Sequence, residues 1–367
     1  MAQVLHVFPS FAVGGAQTVT AMFINRLGSG LRHTVVSLDG RTEARELLAP
    51  GTSARCIDGR PFRAGGLRAV WRFLNEEKPD LLLTCNWGSI DWALARPRLC
   101  HLHQEHGFGA EEAAGQLPRR AWVRRLALRR VWRVVVPSRS LALVARRSWW
   151  VPEARLVRIP NGVPPGDARR RAGGGGPVVI GTVAPLRPEK RLDWLFRALA
   201  EVGDGPAWRL LVAGDGPERG RLEAEAARLG FADRVAFLGH QREPRRTLAE
   251  VDLYALSSAT EQLPMSLLDA MALGLPVAGV RVGDVAEAVA VPNRPYIAPP
   301  HDLSALARSL RALLADKALR ARLGAANRER QRERYGEASM RDAYAGLIES
   351  ALRGPARSQP EARLAVA

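Results

Sequence analysis

Lysine is nearly missing from this chain. Of its 54 cationic residues only Lys78, Lys190 and Lys317 are lysines; the others are arginines. Where a generic positive charge suffices the sequence uses arginine, so a retained lysine hints that a compact, pointlike ammonium is wanted there. Cysteine is scarce too. Cys56, Cys85 and Cys100 are odd in number and lack metal-ligand spacing. They read as small core residues of a reducing compartment. No apolar run reaches the roughly 18 residues of a membrane span, and the N-terminus opens on the strand-like Val4 to Phe8 instead of a charged segment and a cleavage site. A cytoplasmic protein is therefore expected. Asp-x-Asp, the paired-carboxylate chelate for a metal ion, occurs nowhere.

Positive charge is what the sequence has in excess, at a net +17. Up to Pro177 there are 27 Arg or Lys against 13 Asp or Glu; after it the count is 27 against 24. A field concentrated in the first half favours an anionic partner, nucleic acid or an acidic membrane surface, and says nothing of the fold. Arg119, Arg120, Arg124, Arg125, Arg129, Arg130 and Arg133 crowd one predicted helix and the strand after it, with Trp122 and Trp132 among them. Tryptophan with arginine suits a membrane interface. These arginines are not confined to one helical face, however, so a solvated basic helix is the competing reading. Nucleic-acid binding is disfavoured, because no aromatic-bearing sheet face or recognisable motif accompanies the charge.

At 367 residues the chain suits two domains of ordinary size. Strands are expected near 4–8, 33–38, 80–84, 99–104 and 131–136, alternating with helices near 66–77, 88–95, 118–129 and 138–147. That is a doubly wound α/β pattern with a parallel sheet. The first domain is expected to span 1–163, a flexible linker 164–177, and a second α/β domain 178–336. A last helix over 337–353 and a disordered tail over 354–367 close the chain.

Within the second domain one stretch organises the rest. Val251 to Leu256 is a short strand; a loop over Ser257 to Leu263 follows, then a helix from Met265 to Leu273, then the strand run Leu275 to Val280. Pro264 suits the first turn of that helix and Gly274 its end. The helix N-terminus so placed offers unpaired N–H groups beyond a strand's carboxyl end, an anion site by construction. Two carboxylates flank it: Glu261 in the loop and Asp269 eight residues on. Carboxylates accept hydrogen bonds from sugar hydroxyls, often in pairs. The competing reading makes both of them solvated acids.

Three further segments are candidates for ligand contact, with an ordinary tight turn the competing reading for the first and satisfied core histidines for the second. Gly14-Gly15 lies between a strand and a helix, where backbone N–H groups can approach phosphate or sugar without a Cβ in the way; the loop lacks the G-x-G-x-x-G order of a dinucleotide fold. His101, His103 and His106 end the strand containing Leu99. Arg187 and Lys190 stand just before a helix, where cations oppose the dipole and a bound pyrophosphate would account for them.

The string from Glu261 to Val277 resembles the signature E-G-x-P-x-x-L-L-E-A-M-A-x-G-x-P-V of family-4 retaining glycosyltransferases, of GT-B fold, with Gln262 for the usual Gly and Asp269 for the second Glu. The resemblance spans nearly the whole chain and is most specific from Pro177 to Pro300. It implies two Rossmann-like domains facing across a cleft, an acceptor held by the first and a nucleotide-sugar donor by the second, with the last helix crossing back onto the first. It assigns Glu261 and His106 to the donor sugar, Asp269 to the ribose, Lys190 to the diphosphate, and Gly214 and the backbone near His240 to the nucleotide side of the pocket. Gln262, Leu263 and Pro264 complete the helix entrance, and Gly14-Gly15 matches the loop that opens the acceptor domain. Pro185 replaces an arginine of the family's R-L-x-P-E-K segment, so either Arg187 substitutes from two residues on or phosphate binding is weaker. No metal ion or other cofactor is implied. The acceptor would be a saccharide or lipid-linked sugar, as in cell-surface polysaccharide or glycolipid assembly, with the protein peripheral on the inner face of the membrane. A sugar-nucleotide epimerase and a catalytically silent binding module of the same fold are the alternatives.

Overall fold

The computed structural model describes residues 1–95, 99–108, 110–112, 115–166, 176–203 and 205–354. The first α/β unit runs β1 (Gln3–Phe8), α1 (Gly15–Leu27), β2 (Arg32–Ser37), β3 (Ala54–Asp58), α2 (Arg60–Glu77), β4 (Leu81–Cys85), α3 (Trp92–Ala95), β5 (His101–Gln104), α4 (Pro118–Leu128), β6 (Arg133–Val136), α5 (Arg139–Arg147) and β7 (Leu156–Arg158). Its strands pair in the order β3-β2-β1-β4-β5-β6-β7, and every pairing is parallel. Central strands such as Leu81 to Cys85 are buried along their whole length, as crossover helices on both faces of a parallel sheet require.

The second unit runs β8 (Val178–Val183), α6 (Leu192–Val202), β9 (Trp208–Ala213), α7 (Arg219–Arg228), β10 (Val235–Gly239), α8 (Pro244–Ala249), β11 (Leu253–Leu256), α9 (Met265–Ala272), β12 (Val277–Val280), α10 (Val285–Ala288), β13 (Ile297–Ala298), α11 (Leu303–Ala315) and α12 (Lys317–Arg334). Its parallel sheet has the order β10-β9-β8-β11-β12-β13. Each sheet reverses its winding once, between β1 and β4 in the first and between β8 and β11 in the second. At such a reversal neighbouring connections leave for opposite faces and open a crevice beyond the carboxyl ends of the strands.

After α12 the chain returns to the first unit. Gly336 bridges to Val163, and α13 (Glu337–Leu352) packs Met340, Tyr344, Ile348 and Ala351 into the same core as Val4, Phe8 and Phe23. The Tyr344 ring stacks on Phe23 with 4.9 Å between centroids.

Several local details depart from the sequence reading. Edge strands β3 and β7 were not expected: the first is half-exposed and the second only three residues long, so neither carries a clear apolar period. Helix α2 begins at Arg60 instead of 66, because Gly66, at φ +57°, kinks it and disguises its first turns. The helix expected over 88–95 shrinks to α3, since Asn86 turns at φ +60° and a 3-10 turn occupies Trp87–Ser89. Pro264 stands just outside α9, at its N-cap. Residues 167–175 of the expected linker and 355–367 of the expected tail lie outside the described residues.

Candidate active site

Both winding reversals carry candidate residues. Strand β8 leads through Pro185 and Arg187 to Lys190, and its neighbour β11 leads into the Ser257 to Pro264 loop. Backbone bonding locks the two segments together: Ala259 N–H donates to the Glu189 carbonyl at 2.8 Å, and Ser257 Oγ to the Lys190 carbonyl at 3.1 Å. Lys190 Nζ then meets Glu261 Oε1 at 2.6 Å, and Ser258 Oγ donates to the same oxygen at 2.8 Å. Lys190 and Glu261 are mostly buried, so this is a charge-assisted contact in a partly dry crevice. Gly283 lets a neighbouring turn close on the loop: a Cβ there would come within 2.2 Å of the Glu261 carbonyl, and the backbone sits at φ +54°.

Asp269 is not a solvated acid. It receives Arg245 Nε at 2.6 Å and is largely buried. Burial raises its pKa above the usual carboxylate value, and the Arg245 charge opposes that rise. Tyr254 lies between the two carboxylates electrostatically: burial raises its pKa, and Glu261 and Asp269 both add to the rise, while Ser266 Oγ at 2.8 Å works against it.

From the first unit, β5 delivers His106. Residues 101 and 103 share one face of the strand, and both point inward to Thr84 Oγ1, at 2.7 Å and 2.8 Å. They are satisfied core histidines, and only His106 reaches the carboxyl end. Its backbone N–H donates to Asn86 Oδ1 at 2.7 Å. Desolvation lowers its pKa to about 4 although the Glu105 charge pulls the other way, so the imidazole is neutral at pH 7. Gly107, next in the chain, abuts Gln262, where an added Cβ would lie 3.2 Å from Gln262 Cγ. Gly15 faces Met265 in the same way at 3.6 Å. The structure thus brings Gly14-Gly15, His106 and the Glu261–Pro264 loop to one cleft.

Other candidates sit further out. Arg187 is exposed at the head of the 3-10 turn Pro188–Lys190. Gly214 turns at φ +146°, where an added Cβ would collide with the Ala184 carbonyl at 1.9 Å, and its N–H bonds to Gly239 at 2.8 Å. His240 is exposed at the end of β10.

Sequence reasoning missed Asn86 and Arg245, polar residues whose partners lie 20 and 24 positions away, and Ser258, whose partner Glu261 is three residues on. It also misread Arg124. That side chain is fully buried: its two terminal nitrogens each lie 3.1 Å from a Glu112 oxygen and Nε lies 3.3 Å from Glu105, with Trp87, Phe108 and Trp149 rings around the guanidinium. Burial acts to raise the Glu105 pKa; Arg124 and His103 outweigh it, and the carboxyl is held below its usual value.

Two parallel-sheet units, the second with the Lys190–Glu261 pair at its reversal, make this a GT-B protein. The description "Glycosyltransferase Family 4" matches residues 13–167, and "Glycosyl transferases group 1" matches residues 168–330. The chain belongs to the family-4, group-1 glycosyltransferases. It is 31% identical to the 2-deoxystreptamine glucosyltransferase of Streptomyces kanamyceticus, over 53% of this chain and 54% of that protein. It is also 31% identical to the N-acetyl-alpha-D-glucosaminyl L-malate synthase of Bacillus anthracis, over 47% of this chain and 45% of that one. The chain thus spans about half the length of these curated relatives. Among solved structures, HepE from Anabaena in complex with UDP-glucose superposes with a TM-score of 0.81 at 18% identity, covering 95% of this chain and 100% of that one. Sucrose-phosphate synthase from Thermosynechococcus elongatus gives 0.80 at 20% identity, covering 96% and 99%.

Proposed function

We propose that this chain transfers a hexosyl group from a nucleotide sugar to a saccharide or lipid-linked acceptor, with retention of configuration and without a metal ion, in the assembly of a cell-surface polysaccharide or glycolipid. The observation that carries this reading is the contact of Lys190 with Glu261 beside the N-terminus of α9. Negative charge grows on the diphosphate as the glycosidic bond breaks. An ammonium and free helix N–H groups fixed in advance stabilise that charge without reorganisation, the task a divalent cation performs elsewhere.

Glu261 has a second oxygen. Oε1 accepts from Lys190 and Ser258, which leaves Oε2 for a hydroxyl of the donor sugar. A diphosphate that draws Lys190 toward itself releases Oε1 as well, so donor binding increases the carboxylate's capacity to orient the reacting ring. His106, neutral, adds one donor and one acceptor on the opposite wall. Asp269 takes the ribose, Gly214 and the backbone at His240 the nucleotide side, and Gly14-Gly15 the approach of donor and acceptor. The incoming hydroxyl attacks from the leaving-group face, so no protein nucleophile is assigned.

The protein would work in the cytoplasm, with its first unit against the inner face of the membrane. Among the described residues no helix is long and apolar enough to cross a membrane. Trp71, Trp122 and Trp150 are all more than half exposed, amid arginines of the first unit.

The experiment is release of free nucleotide from a panel of UDP-, GDP-, ADP- and dTDP-sugars with EDTA present, followed by product anomer assignment by NMR. UDP-glucose comes first because HepE binds it. Retained anomeric configuration in EDTA supports the reading. Tight binding with no turnover of any donor would make the chain a silent binding module, and conversion of donor without acceptor an epimerase.

A further inference from the structure

The loop that carries Glu261 is held from the other side of the cleft. Gln262, directly after the candidate acid, is 8% exposed, and its Oε1 accepts from Ser138 Oγ at 2.8 Å. Ser140 Oγ lies 3.3 Å from the same oxygen. Ser138 is the N-cap of α5, so its hydroxyl oxygen also accepts the Leu141 N–H at 3.0 Å. Asp284 completes the contact. Its carboxylate accepts the Arg139 N–H at 2.6 Å and the Ser140 N–H at 2.9 Å, while its own N–H donates to the Gln262 carbonyl at 2.8 Å. A third tie comes from Asn161, whose Nδ2 donates to the Leu263 carbonyl at 2.7 Å.

These contacts share a design. The exposed N–H groups at the start of α5 need an acceptor, and a helix N-terminus favours a negative one. Here the acceptor is a carboxylate from the second unit, and the same turn grips the backbone of the Glu261 loop. Family members usually carry glycine at the position of Gln262, and glycine has no side chain to reach Ser138. We infer that Gln262 and Asp284 are positioning residues: seated on the N-terminus of α5, they form a latch by which the first unit fixes the geometry of the Glu261 loop, so the donor-orienting carboxylate is set only when the cleft is closed. The inference rests on the reading of Glu261 as a donor-sugar contact, but the latch can be read without turnover.

The test uses the full chain. Hydrogen exchange over residues 258–264 and the radius of gyration from solution scattering are measured for the wild type, Gln262→Gly, Asp284→Ala and the pair, with circular dichroism as the check on folding. The pair is expected to expand the molecule and speed exchange in the loop, whereas Asp284→Asn, whose one amide oxygen replaces only one of the two carboxylate acceptors, falls between the wild type and Asp284→Ala. On a donor that is turned over, kcat falls by up to about 100-fold while the donor KM changes little, as a displaced orienting group predicts. Should Asp284→Ala unfold the protein, a double-mutant cycle of Ser138→Ala with Gln262→Ala replaces it. Non-additive effects on loop exchange are expected there, and additive ones overturn the latch. Unchanged scattering and loop exchange in the pair also overturn it, whatever the turnover. If the exchange responds but the wild type turns over no donor, the latch stands and the transferase reading fails.

Discussion

Arg245 holds Asp269 at 2.6 Å and at the same time donates to the carbonyls of Pro164 and Pro165, so the carboxylate assigned to the ribose is tied to the segment that leaves the first unit. Burial has raised the Asp269 pKa, and Arg245 is what limits the rise. Only the ionised carboxylate accepts two ribose hydroxyls. Nucleotide affinity should therefore fall as pH drops through the raised pKa, and Arg245→Ala should move that loss to higher pH. Calorimetric titration with UDP between pH 4 and 8 measures the shift; identical pH profiles for the two proteins would remove Asp269 from the nucleotide site.

Glu261→Ala should abolish transfer, because the loop acid orients the sugar, and should also cost some stability by leaving the mostly buried Lys190 without its counter-charge. Full activity of this variant on the native donor would sink the assignment of the site.

Lys190→Ala is expected to weaken donor binding and turnover together, losing about 2–4 kcal/mol of transition-state stabilisation. Steady-state kinetics of nucleotide release reads this directly. Arg187→Ala, at an exposed position, separates the two cations. A harmless Arg187→Ala beside a severe Lys190→Ala would show that Arg187 does not replace the arginine missing at Pro185.

Acid should unfold the protein over a window set by buried histidines. Burial lowers the pKa of His33 and His106 to about 4 and of His101 to about 3, and it lowers that of His6 as well. The unfolded chain binds these protons first, near pH 6.5. The stability they contribute is thus fully present above that pH and is lost as pH falls through the folded values. Thermal melts between pH 7 and 4 should show a falling Tm, and His6→Asn with His33→Asn should flatten that dependence.

Arg124→Met should lower stability by about 3–5 kcal/mol, since it leaves Glu105 buried without its counter-charge and Glu112 with Arg120 alone, 3.5 Å away. Chemical denaturation measures the loss. Charge reversal at the exposed Arg119, Arg129 and Arg130 should instead leave stability alone and reduce co-sedimentation with anionic vesicles, each cation contributing about 1 kcal/mol at low salt. Equal binding to neutral and anionic lipid would make those arginines a solvated face.

The legible parts of this molecule are those whose causes are local. The strand, loop and helix around Glu261 could be read because a short apolar strand, a proline and a glycine each act within a few residues. Strands β3 and β7 could not, because an edge strand half in water shows no apolar alternation, and pairing with a neighbour decides its conformation. Arg124 was hidden for another reason: a charged residue in a helix reads as solvated unless its acids are known, and Glu105 and Glu112 reach it from a separate loop. The bond from Ser138 to Gln262 joins residues 124 positions apart, a contact that only the closed cleft creates.

The return of α13 to the first core bears on how the chain is made. Met340, Tyr344, Ile348 and Ala351 fill the space beside Phe23, so the unit that leaves the ribosome first is finished last. Until α13 emerges, the side of Phe23 that Tyr344 covers lacks that cover, and the first unit stays incomplete through the synthesis of the whole second one. The second sheet has all its strands by Ala298 and can form in that interval, which makes it the scaffold on which the first is eventually closed.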